Sequence, residues 1–153
     1  MAEMMVNLRV LRDLAPVLAE QAANGVEIRR AQPNESDKIA AWVSEHINRN
    51  WTVVCEVALE QTPPCCYIAI KINQTPVSID EPFELSPENI LGFACYDVVR
   101  EGVFGPSGMR EDRQESDIST ALLLACLHAM AAKKYPHAVI GWAGTTGGYT
   151  DTI

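Results

Sequence analysis

The side chains able to do chemistry fall into three groups: five cysteines, three histidines and a charged loop ahead of a long apolar stretch. Cys55, Cys65, Cys66, Cys95 and Cys126 are odd in number and show no CxxC or Cys/His pattern with metal-ligand spacing. They read as small buried thiols in a reducing compartment, not as a disulfide framework. Neighbours on an expected strand, Cys65 and Cys66 should point to opposite faces. His46, His128 and His137 are scattered and lie near no serine or cysteine nucleophile motif, so a structural role is expected for each. The loop reads REDRQESD, from Arg110 to Asp117, and leads into ISTALLLACLHAMAAKK. A helix starting there presents unpaired backbone N–H groups and the positive end of its dipole, which can hold an anion such as a phosphate. Ser116 or Asp117 could instead cap the helix and satisfy those groups itself.

The elements around that loop give the order strand, turn, strand, loop, helix, strand. ILGFACYDVV and GVFGPSGM are β-rich runs joined by a turn at Arg100-Glu101-Gly102, and HAVIGWAG follows the helix. A strand, helix, strand succession implies a parallel pair joined by a crossover. The helix Ile118 to Lys134 is apolar over most of its circumference and should be buried against a sheet, stopping at Tyr135-Pro136. Upstream, Asn7 to Ala23 has leucines at helical spacing, with Pro16 expected to kink or split it. Asn24-Gly25 ends it, VEIRRA starts the first strand, and Pro33 to Ile47 and Trp51 to Gln61 read as helices. Cys65 to Asn73 reads as a strand. The proline-rich, acidic Gln74 to Asn89 reads as a surface loop, or a loop with a short strand at Val77 to Ile79.

With 153 residues, the chain has room for one domain spanning 1–153. Its 48% hydrophobic and 21% charged residues fit an ordinary soluble protein. A net charge of −8 leaves no basic surface for a nucleic-acid backbone or an anionic membrane. Residues 1–7 contain Glu3 and lack the pattern of a secretory signal, and ALLLACL is too short to span a bilayer. A cytoplasmic location is expected.

Helix, strand, two helices, three strands, long helix, strand is the order found in the GNAT superfamily of acyl-CoA N-acyltransferases. LGFACYD, FGPSGM, TALLLACLHAM and VIGWAG resemble its core segments, and VEIRRAQP more weakly, so the likeness covers most of the chain. The resemblance implies an α/β (α+β) fold: a mixed, mostly antiparallel sheet with one parallel strand pair, flanked by helices. It implies acetyl-CoA as co-substrate and a primary amine, small-molecule or peptide, as acceptor, with no metal.

In the family, a loop of pattern Gln/Arg-x-x-Gly-x-Gly/Ala before the long helix holds the coenzyme A pyrophosphate. The matching residues here are Gln114, Glu115, Ser116, Asp117, Ile118 and Ser119, followed by Thr120. Gln114 fits the first position, whereas Asp117 and Ser119 stand where the family has glycines. Asp117 near a pyrophosphate would cost about 1 to 4 kcal/mol, depending on the local dielectric. By the same resemblance, backbone groups around Ser107, Gly108 and Met109 would pair with the pantetheine arm. Tyr149 stands at the position of the family tyrosine that protonates the leaving thiolate. Glu56, or else Asp97, is the candidate general base. A non-catalytic GNAT-like binding or interaction module is the alternative reading. The family also continues beyond VIGWAG with a helix and two more strands, for which few residues remain here. The strand Ala138 to Ala143 would then have an open edge, and a homo-oligomer covering it is expected.

Overall fold

A computed structural model describes residues 4–47, 49–72, 85, 87–98, 100–110 and 116–140, with only the backbone of Ser116. Six strands form one sheet: β1 (Met4–Asn7), β2 (Val26–Arg30), β3 (Cys66–Lys71), β4 (Ile90–Tyr96), β5 (Val103–Met109) and β6 (His137–Ile140). Their order across the sheet is β1-β6-β5-β4-β3-β2. Every neighbouring pair is antiparallel except β5 and β6, which are parallel. This is the mixed sheet with one parallel pair expected from the sequence. The four α-helices are α1 (Leu14–Ala23), α2 (Ser36–His46), α3 (Thr52–Glu60) and α4 (Ser116–Ala132).

β4 is buried along its whole length, because its two faces are both covered. Alternation along the strand sorts the partners. Gly92 faces Leu122 of α4, whereas Phe93 stands edge-on to Trp42 of α2 at 6.0 Å. The α4 helix and α1 therefore lie on one face, α2 and α3 on the other. The core contains Trp42, Phe93, Ile68, Ile70, Leu91, Leu123 and Leu127, all with essentially no exposed surface. α4 is buried nearly all round, as its composition required.

Two expectations at the N-terminal end are corrected. Residues 4–7 form a strand, and the helix expected from Asn7 starts at Leu14. Pro16 then falls in the first helical turn, where its missing N–H costs no intrahelical bond, so no kink is needed. β1 pairs with β6 through Met4↔Ile140, Met5↔Val139, Val6↔Ala138 and Asn7↔His137. The described edge of β6, expected to be open, is thus covered by the chain's own first strand, and no second copy is required to cover it.

Local signals explain the other junctions. Gly25 turns the chain from α1 into β2 at φ +80°, a conformation that favours glycine. Gly105, at φ +119°, sits where β5 has one residue more than β4 between Phe104↔Tyr96 and Ser107↔Ala94, a β-bulge. The suggested strand Val77 to Ile79 lies outside the described residues. Among those residues, no helix is long and apolar enough to cross a membrane.

Candidate functional site

One continuous row of cross-strand partners organises the α2 face: Arg29↔Ile68, Ile68↔Phe93 and Phe93↔Gly108. α2 follows this row. At its start the Glu35 carboxylate takes hydrogen bonds from Arg29 Nη1 at 2.8 Å and Nη2 at 2.6 Å. Midway, Trp42 stands on Phe93. At its end, Ile47 covers Gly108 so closely that a Cβ there would lie 2.8 Å from Ile47 Cδ1. The distances agree: 12 residues of helix span about 18 Å, and three strand gaps about 14 Å. α2 thus crosses the sheet obliquely and delivers its last turn to β5.

That last turn carries His46. Its ring stacks on Trp42 at 5.3 Å with a 35° tilt, and its side chain is 30% exposed. Glu45 Oε2 is 4.0 Å from His46 Nε2. The sequence reading treated His46 as structural. The signal available was the Trp42/His46 spacing of four, one helical turn, and it means little until α2 is known to end over Gly108.

On the other face, Met109 pairs with Gly92, over which Leu122 of α4 lies. The first turn of α4 starts six residues before Leu122, about 9 Å further along the helix axis. It therefore stands beyond the C-terminal end of β5, where first-turn N–H groups lack intrahelical acceptors. Ile118 is buried at 1% exposure and anchors this turn, Ser119 and Thr120 are half-buried, and Asp117 is exposed. Helix α4 already includes Ser116, so Asp117 is a residue of the first turn and not its cap. β6 pairs with β5 at Val103↔Val139 and Phe104↔Ile140. β5 then runs on through Ser107, Gly108 and Met109, past the last described residue of β6. Ser107, Gly108, Met109 and the turn Ser116 to Thr120 are thus brought to one end of the molecule. Gln114 and Tyr149 lie outside the described residues.

The structure does not bring the two proposed bases there. Glu56 is an exposed residue of α3 beside Cys55, and Cys55 packs with Cys66 and Cys95 at the far end of β4. Asp97 is held as a turn clasp. Its carboxylate accepts from Gly102 N at 2.7 Å, Lys133 Nζ at 2.7 Å and Tyr135 Oη at 3.2 Å. The Gly102 bond closes the β4–β5 turn, and the Lys133 and Tyr135 bonds tie that turn to the end of α4, away from Gly108.

Arg30 and its tyrosines form a separate polar cluster. Arg30 lies between the rings of Tyr67 and Tyr96, 5.0 and 5.8 Å from their centres. It donates to Pro64 O and Tyr96 Oη at 2.6 Å and to Tyr67 Oη at 3.2 Å. Burial pushes the Tyr96 phenol up to about 12 against the opposing pull of Arg30, so it stays neutral. All five cysteines are free and buried. Hydrogen bonding to Cys55 and Cys66, with burial, holds the Cys95 thiol well above the usual range, which leaves it protonated and inert. Cys65 meets Tyr96 while Cys66 joins Cys55 and Cys95, so the neighbours do face opposite ways. Among the described residues, no His, Cys, Asp and Glu side chains are grouped to hold a metal ion.

Comparison with known proteins rests on shape. No family model and no curated protein matches the sequence. A GCN5-related glucosamine N-acetyltransferase region of a fungal multi-domain GH3 β-N-acetylglucosaminidase superposes on 98% of this chain, with a TM-score of 0.71 and 8% identity. The chain has the GNAT fold. A proposed acetyltransferase from Pyrococcus horikoshii shares it over 83% of this chain, with a TM-score of 0.52 and 17% identity. The chain spans 19% of the fungal protein and 42% of the archaeal one. In this GNAT fold, the β5 end and the first turn of α4 are the parts to which the sequence likeness assigned coenzyme A.

Proposed function

We propose that this protein is an acetyl-CoA-dependent N-acetyltransferase that acts on a primary amine. One observation carries the reading: the GNAT sheet sets the C-terminal end of β5 beside the first turn of α4, with α2 ending over the same strand. Backbone groups of Ser107, Gly108 and Met109 suit an extended pantetheine arm, and the first-turn N–H groups of α4 suit a pyrophosphate. The chemistry is then mainly placement of two reactants, with a backbone N–H of β5 polarising the thioester carbonyl. The amine nitrogen bonds to the carbonyl carbon, the carbon–sulfur bond breaks, and the thiolate leaves with a proton from Tyr149. An amino sugar is the first acceptor to try, since the fungal GNAT region is named for glucosamine.

The exposed Asp117 favours a second reading, a GNAT-like module that binds a different ligand or a partner. It places a negative charge in the turn that would face the pyrophosphate. Calorimetric titration with acetyl-CoA, followed by release of free thiol in the presence of primary amines, separates the two. Saturable heat and amine-dependent thiol release are expected. A chain that gives no heat at millimolar acetyl-CoA is not an acetyltransferase.

A further inference from the structure

We propose that His46 is the general base that takes the acceptor amine's proton. The inference rests on the acetyltransferase reading and adds to it the residue that the sequence assigned to Glu56 or Asp97. Three observations support it.

The first is position. His46 precedes Ile47, whose side chain lies on Gly108, so the imidazole is carried on the helical turn that closes over β5. This is the α2 face of the strand, opposite the face covered by α4.

The second is orientation. Trp42 is fully buried between Phe93 and His46, so the imidazole rests on a rigid aromatic support. The ring is 30% exposed, so it is open to solvent while one face rests on this support.

The third is the set of charged groups around it. Glu45 lies 4.0 Å from Nε2 and can hold the ring as it gains a proton. Arg49 follows on the next turn, and Glu88 lies on the 3₁₀ turn Pro87–Asn89 packed against α2. Glu35, at the other end of α2, is occupied by Arg29. Glu56 and Glu60 of α3 are exposed. Imidazole is also the side chain whose ordinary charge change falls between pH 5 and 8, which suits transfer of an amine proton near neutrality.

The step balances: the amine nitrogen bonds to the thioester carbon, its surplus proton passes to His46, the carbon–sulfur bond breaks, and the thiolate leaves with the proton of Tyr149, which regains one from solvent. His46 then returns the proton to solvent.

The test compares the natural chain with H46Q and H46A. Acetyl-CoA affinity is expected to stay within about twofold, because the thioester lies along β5 and not on α2. Turnover of an amino sugar, a polyamine or a lysine peptide should fall by about 10²- to 10⁴-fold at neutral pH. The acidic limb of the natural pH profile should disappear in H46Q, and added imidazole should restore part of the H46A rate. Independently of turnover, the imidazole NMR signals lost in H46Q should shift when acetyl-CoA is added to the natural chain. Failure of the natural chain to bind acetyl-CoA overturns the acetyltransferase reading and this assignment with it. Binding without turnover of any of these amines, or turnover that H46Q matches with an unchanged pH profile, overturns the assignment of His46 alone.

Discussion

Replacing Glu35 by glutamine tests how the junction that launches α2 is held. The carboxylate is 7% exposed and takes three hydrogen bonds: two from Arg29, at 2.8 and 2.6 Å, and one from Gln32 N at 2.9 Å. Glutamine keeps the shape but replaces one acceptor oxygen with a donor, which then opposes an Arg29 N–H. A hydrogen bond to a charged group contributes about 1.5–3 kcal/mol net, and breaking a fully buried pair costs about 3–5 kcal/mol. With its side chain 20% exposed, Arg29 regains part of its hydration, which argues for the lower figure. The expected loss is about 2–3 kcal/mol, or about 4–12 °C in Tm for a domain of this size. Burial raises the Glu35 carboxyl pKa, but hydrogen bonds from Arg29 and Gln32 and the Arg29 charge outweigh it, and the net shift is downward. A depressed carboxyl stabilises the fold above its unfolded value, about 4.3, and loses that contribution as pH falls through the folded value. The Tm gap between the natural chain and E35Q should therefore be full at pH 7 and close in acid, as pH falls through the depressed value of the folded carboxyl. Scanning calorimetry over this range checks it. No gap at pH 7, or a gap that persists unchanged in acid, refutes the argument.

Gly92→Ala should destabilise the chain by about 1–3 kcal/mol in urea unfolding, because the new Cβ meets Met109 Sδ, Gly108 O at 3.0 Å and Leu122 Cδ1 at 3.3 Å. A carbonyl oxygen of the neighbouring strand cannot yield as a side-chain tip can, so an unchanged midpoint would count against the packing described. Asp117→Asn removes the first-turn charge without altering backbone freedom, and should tighten acetyl-CoA binding severalfold in dilute buffer. Salt at about 1 M shortens the screening length to about 3 Å and should erase the gain; equal affinities in dilute buffer would absolve Asp117.

Patterns set by local physics were legible in the sequence. The apolar circumference of α4, the alternation of β3 and the stop signal at Asn24-Gly25 each report a nearest-neighbour or one-turn property. They located the elements and, with the strand, helix, strand succession, the one parallel pair; the mixed sheet as a whole and the end where Gly108 and Asp117 lie came from the family resemblance. β1 was not legible, since Met4 to Asn7 is too short to show a period. Its extended form depends on β6, more than 130 residues away in sequence. Leu8 illustrates the confusion: it fits the leucine spacing of a helix, yet it is buried in the turn after β1, where its N–H donates to Pro136 O at 3.1 Å. Sequence places Glu56 on a helix and Asp97 at a strand end, but does not show toward which end of the sheet either carboxylate lies.

The same limit explains why His46 escaped notice. Periodicity identifies the buried stripe of α2, Ile39, Trp42 and Val43, but not the angle at which that stripe crosses the strands. The angle follows from register: Glu35 is tied to Arg29 on β2, Ile47 is seated on Gly108 of β5, and one row of partners joins the two. Because glycine at 108 admits Ile47, the helix can end against the strand backbone instead of stopping short of it. A side chain at 108 would push the α2 terminus away and carry His46 with it. The missing Cβ at Gly108 thus seats Ile47 on the strand and brings the neighbouring imidazole with it.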